Sequence, residues 1–326
     1  MTTHREPLGS VLETVGETPL VRVQASPEEV PVYAKLESFN PGASVKDRIG
    51  KYMLERMLER GELDPGGTVI EPTAGNTGIG LAVAAGQLDL EAVFVVPEGF
   101  SVEKQRLMRA LGAEVINTPT AEGMGFAIQR AHELADELDN AAVPQQFANP
   151  LNVEAHYETT GPECYEALEG RVGAVVVGCG TGGTLMGMGQ YAREQHPDTL
   201  VIAVEPEGSI FREFLDRDIE EGEYKTEGIG THDTSTNELF DPELVDDVYA
   251  ISDRDVHQEM QRLAAEEGQL VASSAAANSV AARRVARAIR DGELEAPHDA
   301  VVTVFPDSSE RYLSKGLYGS FEEWTG

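Results

Sequence analysis

Cysteine, tryptophan and lysine are all scarce in this 326-residue chain, at two, one and six residues. Cys164 and Cys179 are too few for a disulfide framework. Their neighbours suggest a helix and the end of a buried strand, so a reducing, cytoplasmic setting is expected. The seven histidines are scattered, with no H-E-x-x-H and no paired Cys/His spacing, which argues against a metal site. No G-x-S-x-G turn occurs, so a nucleophile elbow is not foreseen. No apolar run approaches the roughly 20 residues of a membrane span. Residues 1–6, Met-Thr-Thr-His-Arg-Glu, lack the apolar stretch of a secretory leader, and none is expected.

Basic charge as a whole is sparse. Lys and Arg total 25 against 57 Asp and Glu, a net charge of −32. Such a surface repels nucleic acid and anionic membranes, and neither is expected as a partner. It also suits a cell interior where salt screens self-repulsion, which points to a halophilic host.

Strand-like runs alternate with helical patterns. Strands are expected at 69–71, 92–96, 114–117, 174–177, 200–205, 248–251 and 300–305. Helices are expected at 77–87, 101–111, 123–139, 182–195, 253–267 and 275–289. This rhythm predicts an α/β fold with largely parallel, helix-covered sheets, and the length suits two domains. A junction is expected near 146–153, where Asn149-Pro150-Leu151-Asn152 reads as a loop.

Three segments carry chemistry. In Asn40-Pro-Gly-Ala-Ser-Val-Lys46-Asp-Arg48, Pro41 and Gly42 read as a turn. Ser44 reads as the N-cap of an amphipathic helix that ends at Gly61. Lys46 then falls in the first helical turn, where the helix dipole disfavours a cation. That suits an amine that is uncharged or held as an imine. A solvent-facing lysine offset by Asp47 is the plainer local reading.

The second segment, Glu71-Pro-Thr-Ala-Gly-Asn-Thr-Gly-Ile-Gly80, joins a strand to a helix through small hydroxyl- and amide-bearing residues. It reads as a phosphate or carboxylate site, or simply as a tight turn. The third, Gly178-Cys-Gly-Thr-Gly-Gly-Thr184, follows an apolar strand. Gly178, Gly180 and Gly183 meet the dinucleotide pattern G-x-G-x-x-G, and Glu205 stands about 20 residues on, as that pattern requires. An NAD-linked dehydrogenase is therefore a competing reading. Thr181 and Thr184 add hydroxyls that favour a phosphate monoester over a pyrophosphate. Ser273 and Ser274 precede an Ala-rich helix and read first as N-caps.

Taken together and in this order, the motifs resemble the cysteine synthase/cystathionine β-synthase family. The resemblance rests on Gly16-Glu-Thr-Pro-Leu20, Asn40–Arg48, Pro72–Gly80, Gln146-Phe-Ala-Asn-Pro150, Thr159-Thr-Gly-Pro-Glu163 and Gly180–Thr184. It spans about 11–305 and reaches the catalytic core of that family.

The resemblance implies a fold-type-II, tryptophan synthase β-like architecture of two three-layer α/β domains with pyridoxal 5'-phosphate between them. A smaller domain would be 40–149, and a larger one 1–39 plus 150–326. Lys46 would hold the cofactor as a Schiff base and act as the catalytic base. Asn76 would meet the cofactor's 3′-oxygen, Gly180, Thr181, Gly182, Gly183 and Thr184 its phosphate, and Ser274 (or Ser273) its pyridine nitrogen. Thr73, Ala74, Gly75, Asn76, Thr77 and Gln146 would bind the substrate carboxylate.

The implied reaction is cysteine formation from O-acetylserine or O-phosphoserine and sulfide. Condensation of a serine derivative with homocysteine is the alternative. A serine or threonine dehydratase, or a non-catalytic metabolite-binding module, would use the same fold. A homodimer is expected on the same basis. Ala74 departs from the serine common in cysteine synthases and resembles some cystathionine-forming members. The polar stretch Thr231–Asn237 also departs, since the family is usually apolar there.

Overall fold

The computed structural model describes residues 7–326. The first six, on which the leader reading rests, lie outside the described residues. The chain divides into two compact units, 7–17 with 39–145 and 18–38 with 146–326.

In chain order the elements begin with β1 (Leu20–Arg22) and β2 (Val32–Leu36). Next come α1 (Lys46–Arg60), β3 (Thr68–Glu71), α2 (Asn76–Ala85), β4 (Glu91–Pro97) and α3 (Val102–Ala110). β5 (Glu114–Thr118), α4 (Gly123–Asp136) and β6 (Ala141–Ala142) complete the first unit. The second unit continues with α5 (Leu151–Ala155), a π-helical turn (His156–Thr160), α6 (Gly161–Ala167), β7 (Val172–Gly178), α7 (Gly183–Gln195) and β8 (Leu200–Pro206). It ends with β9 (Asp247–Ile251), α8 (Asp253–Glu267), α9 (Ser273–Arg290), β10 (Ala300–Phe305) and α10 (Phe321–Thr325).

The smaller unit carries a fully parallel sheet in the order β5-β4-β3-β6. The larger carries β1-β2-β10-β7-β8-β9, parallel except for the antiparallel edge strand β1. β10 is buried along its whole length and β7 along all but its last residue. Continuous Val-rich runs are what a sheet covered on both faces requires. Val176, Ile202, Val204 and Val301 of that sheet pack with Ala276, Val280 and Val285 of α9 and with Met260 and Leu263 of α8.

The domain division differs from the expected one at both boundaries. Residues 7–17 belong to the smaller unit because local polar contacts tie them there. Ser10 Oγ donates to Gln87 Oε1 at 3.0 Å, Lys51 Nζ to the Leu12 carbonyl at 3.1 Å, and Gly16 N–H to Asn40 Oδ1 at 2.9 Å. The second boundary falls between Gln145 and Gln146, not after Asn149.

The stretch read as a loop at 149–152 opens a helix instead. Asn149 Oδ1 accepts the Leu151 N–H at 3.0 Å, and Pro150 sits where a helix has no use for its missing N–H. Strands β1 and β2 were not anticipated. They are three and five residues long, and prolines at 19, 27 and 31 break the hydrophobic pattern around them.

Two helices of the smaller unit pack backbone to backbone. A Cβ built on Gly80 of α2 would lie 2.4 Å from the Lys46 carbonyl oxygen, and one on Gly50 of α1 would lie 2.5 Å from the Gly80 carbonyl carbon. These contacts fix the first turn of α1 against α2, so the small residues of Asn76-Thr-Gly-Ile-Gly80 position Lys46. Gly80→Ala should destabilise the protein by about 1–3 kcal/mol. Gly86→Ala should leave stability unchanged or slightly raised, since the nearest atom to that added Cβ is 3.4 Å away and the backbone is right-handed. Urea unfolding of both variants is the check. Equal midpoints would show that the approach of α1 and α2 is not tight.

Candidate active site

Lys46 is the first residue of α1. The helix starts one residue later than expected, with Val45 at the N-cap position. Ser44 Oγ still accepts the Lys46 N–H at 3.3 Å. Asp47 turns back and accepts the Gly42 N–H, so its carboxylate is engaged by its own turn. Asn40 braces that turn by donating to the Ser44 carbonyl at 3.1 Å. The Lys46 side chain is partly buried, and loss of hydration lowers its pKa from 10.5 to about 8. Its place at a helix N-terminus acts in the same direction. The local reading of a solvent-facing lysine is therefore overturned by burial.

Thr73, Ala74, Gly75, Asn76 and Thr77 form the turn from β3 into α2. Thr73 and Thr77 are buried, whereas Ala74, Gly75 and Asn76 are partly exposed. The Thr73 hydroxyl accepts the Gly75 N–H at 3.2 Å, and no side chain caps α2. The helix thus opens through small residues with its N-terminus uncapped by any side chain, as an anion site needs. The crowded contact of Gly80 with the Lys46 carbonyl holds the first turn of α1 against α2, the helix that the Thr73–Thr77 turn opens, within the smaller unit.

In the larger unit Gly180, Thr181, Gly182, Gly183 and Thr184 link β7 to α7. Gly182 has φ +88°, and a Cβ on Gly183 would lie 2.1 Å from Asn152 Oδ1, so the turn tolerates only glycine there. Thr181 is 7% exposed, and its hydroxyl oxygen accepts from Asn152 Nδ2 at 3.1 Å and from Gly183 N–H at 3.3 Å. With both lone pairs engaged, the hydroxyl proton is left to donate. Thr184 Oγ1 lies 3.2 Å from His156 Nε2, and His156 Nδ1 lies 2.8 Å from Thr160 Oγ1. A hydroxyl that donates, glycines that admit close approach and a 13-residue helix opening behind them fit a phosphate monoester.

Gln146 joins this cluster through its carbonyl, which accepts from Asn152 Nδ2 at 2.7 Å. Ser273 and Ser274 are both buried in the first turn of α9. Neither caps that helix. Ser273 Oγ accepts the Glu227 N–H at 3.0 Å, and among the described residues no comparable bond engages Ser274. Asn278, one turn further on, lies against Gly178.

Asn152 and His156 were not singled out in the sequence. Asn152 stood inside the Asn149-Pro150-Leu151-Asn152 stretch, while His156 gave no signal beyond being one of seven histidines. Glu205, the acid that completed the dinucleotide pattern, is fully buried. It accepts the Phe211 N–H at 2.8 Å and pairs with Arg212 Nε at 2.7 Å. Cys179 is buried and its thiol pKa is raised, chiefly by loss of hydration, so it is a packing residue. Among the described residues no group of three or more His, Cys, Asp or Glu is placed to hold a metal, and no helix is long and apolar enough to cross a membrane.

Comparison with known proteins agrees with this donor set. A family model described as "pyridoxal-phosphate dependent enzyme" matches residues 11–307. The chain is 43% identical over 310 residues to an O-acetylserine dependent cystathionine beta-synthase of Bacillus subtilis, covering 94% of this chain and 97% of that one. It is 42% identical, over the same length and shares, to a cysteine synthase of Helicobacter pylori. The crystal structure of an O-acetylserine dependent cystathionine beta-synthase from Helicobacter pylori matches with a TM-score of 0.84 at 41% identity, over 96% of this chain and 100% of that one. The fold is thus the fold-type-II arrangement of pyridoxal-phosphate enzymes, and the dehydrogenase reading is overturned.

In cofactor-free protein the amine of Lys46 titrates near pH 8 when folded and near 10.5 when unfolded. The unfolded chain binds the extra proton between those values, so stability rises with pH through that window. The stability gap between Lys46→Met and wild type should narrow by about 3 kcal/mol between pH 7 and pH 11. Urea melts of both proteins across that range measure it. A constant gap would rule out a depressed amine.

Proposed function

Because the chain belongs to the pyridoxal-phosphate dependent enzymes, we propose that it forms L-cysteine by β-replacement, from O-acetylserine or O-phosphoserine and sulfide. The observation that carries the reading is Lys46, a partly buried lysine with its pKa near 8, whose backbone is packed against Gly80 of the helix that follows the Thr73–Thr77 turn. Relatives named for cysteine synthesis at 38–42% identity over nearly the whole chain support it.

Lys46 would hold the cofactor, with Asn76 at its 3′-oxygen and Gly180–Thr184 around its phosphate. When bound, the cofactor supplies an electron sink for negative charge at the substrate Cα. The amine of Lys46 is then the base that takes the Cα proton, a role its lowered pKa suits near neutral pH. Thr73–Thr77 and Gln146 bind the substrate carboxylate and orient the β-substituent for departure. Ser274 meets the pyridine nitrogen, with Ser273, whose hydroxyl accepts the Glu227 N–H, as the alternative. A serine hydroxyl cannot protonate that nitrogen as a carboxylic acid could, which limits charge delocalisation and favours loss of the β-substituent over transamination. Closure of the carboxylate turn would exclude water, which would otherwise divert the substrate to a keto acid.

A second nucleophile has its own support. Ala74 removes a hydroxyl from the carboxylate turn, and the Bacillus relative is named for cystathionine formation from O-acetylserine. Homocysteine in place of sulfide is the alternative thiol. We also infer a cytoplasmic homodimer; Phe100, Val102, Leu107 and Leu111 give such an assembly exposed apolar surface to cover. The −32 charge supports a salt-rich host.

Borohydride reduction of the holoenzyme followed by peptide mapping should place the label on Lys46, and Lys46→Ala should lower kcat at least 10³-fold. Label on another lysine, or on none, would defeat the assignment. O-acetylserine and O-phosphoserine should each be assayed against sulfide and homocysteine. Cysteine from at least one donor is expected, and its absence with both would sink the cysteine synthase reading. The melting temperature should rise between about 0.1 and 2 M KCl as acidic repulsion is screened. A flat or falling profile would reject the halophilic reading.

A further inference from the structure

The polar stretch 231–237 departs from the family pattern, and its single buried side chain is Asn237, 3% exposed. That residue ends a short 3₁₀ turn, Thr234–Thr236, whose N-cap Asp233 accepts the Ser235 N–H at 3.0 Å. Its amide nitrogen donates to the Gly180 carbonyl at 2.6 Å. The carbonyl just before, that of Cys179, accepts the Gly230 N–H, also at 2.6 Å. Two consecutive carbonyls of the phosphate turn are therefore held by one segment that crosses it.

The crossing continues beyond Asn237. The Phe240 N–H donates to the Asn237 carbonyl at 3.1 Å, and Phe240 packs beside Gly182, 3.6 Å from where a Cβ would stand. The Asp241 N–H reaches Met186 Sδ at 3.2 Å, on the first turn of α7. Phe240 is anchored in turn by Phe211 and Phe214, with ring centroids at 5.2 and 4.7 Å.

A phosphate dianion is stabilised by N–H and O–H dipoles and repelled by carbonyl dipoles. Gly180 lacks a side chain to hold its peptide plane, so something else must keep that carbonyl turned away. Asn237 also carries a cost that an apolar residue would not. Its Oδ1 is buried without a donor among the described residues, which calls for an explanation. The bond to Gly180 supplies one.

We propose that Asn237 is a positioning residue for the phosphate turn, holding the Gly180 carbonyl away so that the Gly180–Thr184 donors face the cofactor phosphate. This rests on the cofactor reading above. Asn237→Asp keeps the shape but loses the donor, and Asn237→Ser shortens it. The probes are pyridoxal phosphate and pyridoxal, which differ only in the phosphate, titrated into the cofactor-free full-length protein.

Asn237→Asp should bind pyridoxal phosphate on the order of tenfold more weakly than wild type, and pyridoxal within about twofold of wild type. Asn237→Ser, which retains an O–H donor, should recover part of the loss. Unchanged affinity for pyridoxal phosphate in both variants overturns the proposal. So does an equal loss for both probes, which would mark a general structural role. Wild-type protein that binds pyridoxal phosphate no better than pyridoxal would overturn the phosphate-turn reading itself, and this inference with it.

Discussion

A methyl group added at Gly183 would sit 2.1 Å from the side-chain oxygen of Asn152. That crowding shows how tightly the larger unit packs the turn from β7 into α7. The chain leaves a buried Val-rich strand, turns through Gly182 at positive φ, and enters α7 with a glycine pressed against an asparagine amide. The same asparagine donates to the Thr181 hydroxyl and to the Gln146 carbonyl. One side chain thereby ties the β7–α7 turn to the Gln146 backbone and sets the direction in which Thr181 can donate. Bare backbone and oriented hydroxyls are two results of one packing constraint.

The smaller unit applies the same economy to a cation. A lysine at a helix N-terminus meets an unfavourable dipole and, when buried, loses hydration as well. Both effects destabilise the folded protein while the amine is charged, and both make the amine a better base near neutrality. The Asp47 carboxylate, one residue along, is occupied by the Gly42 N–H. The tight contact of Gly80 with the Lys46 backbone keeps the helix from shifting to relieve the strain. Stability is given up at Lys46 and regained in the close packing of α1 on α2.

How much of this was legible in the sequence depended on whether the signal was local. Parallel strands such as β7 and β10 showed as short apolar runs because both of their faces are buried. α8 was placed at its observed bounds, since Ser252 caps it and Gly268 ends it. β1 and β2 were missed because they are short, β2 takes its parallel partner β10 from far along the chain, and prolines mask their pattern. The Asn149-Pro150 pair was misread because such a pair can sit in a loop or open a helix, and only tertiary context tells which. Glu205 shows the limit of a motif. Its spacing satisfied a dinucleotide fingerprint, yet its carboxylate serves Phe211 and Arg212. His156 was invisible because a buried histidine between two threonines has no sequence spacing of its own.

The departures from the family pattern divide along physical lines. Ala74 changes the chemistry of a partly exposed turn whose neighbours Thr73 and Thr77 are buried, so it bears on what the turn binds and little on how it folds. The polar stretch 231–237 works differently. Most of its side chains are exposed or partly so, and their polarity suits an acidic, heavily solvated surface. Its one buried side chain points inward to the Gly180 carbonyl. The segment can therefore be polar without loosening the phosphate turn, because the inward contact is a directed hydrogen bond and the apolar packing has moved three residues on, to Phe240. Surface composition and inward packing are thus separable within seven residues, and a chain with this much negative charge needs that separation.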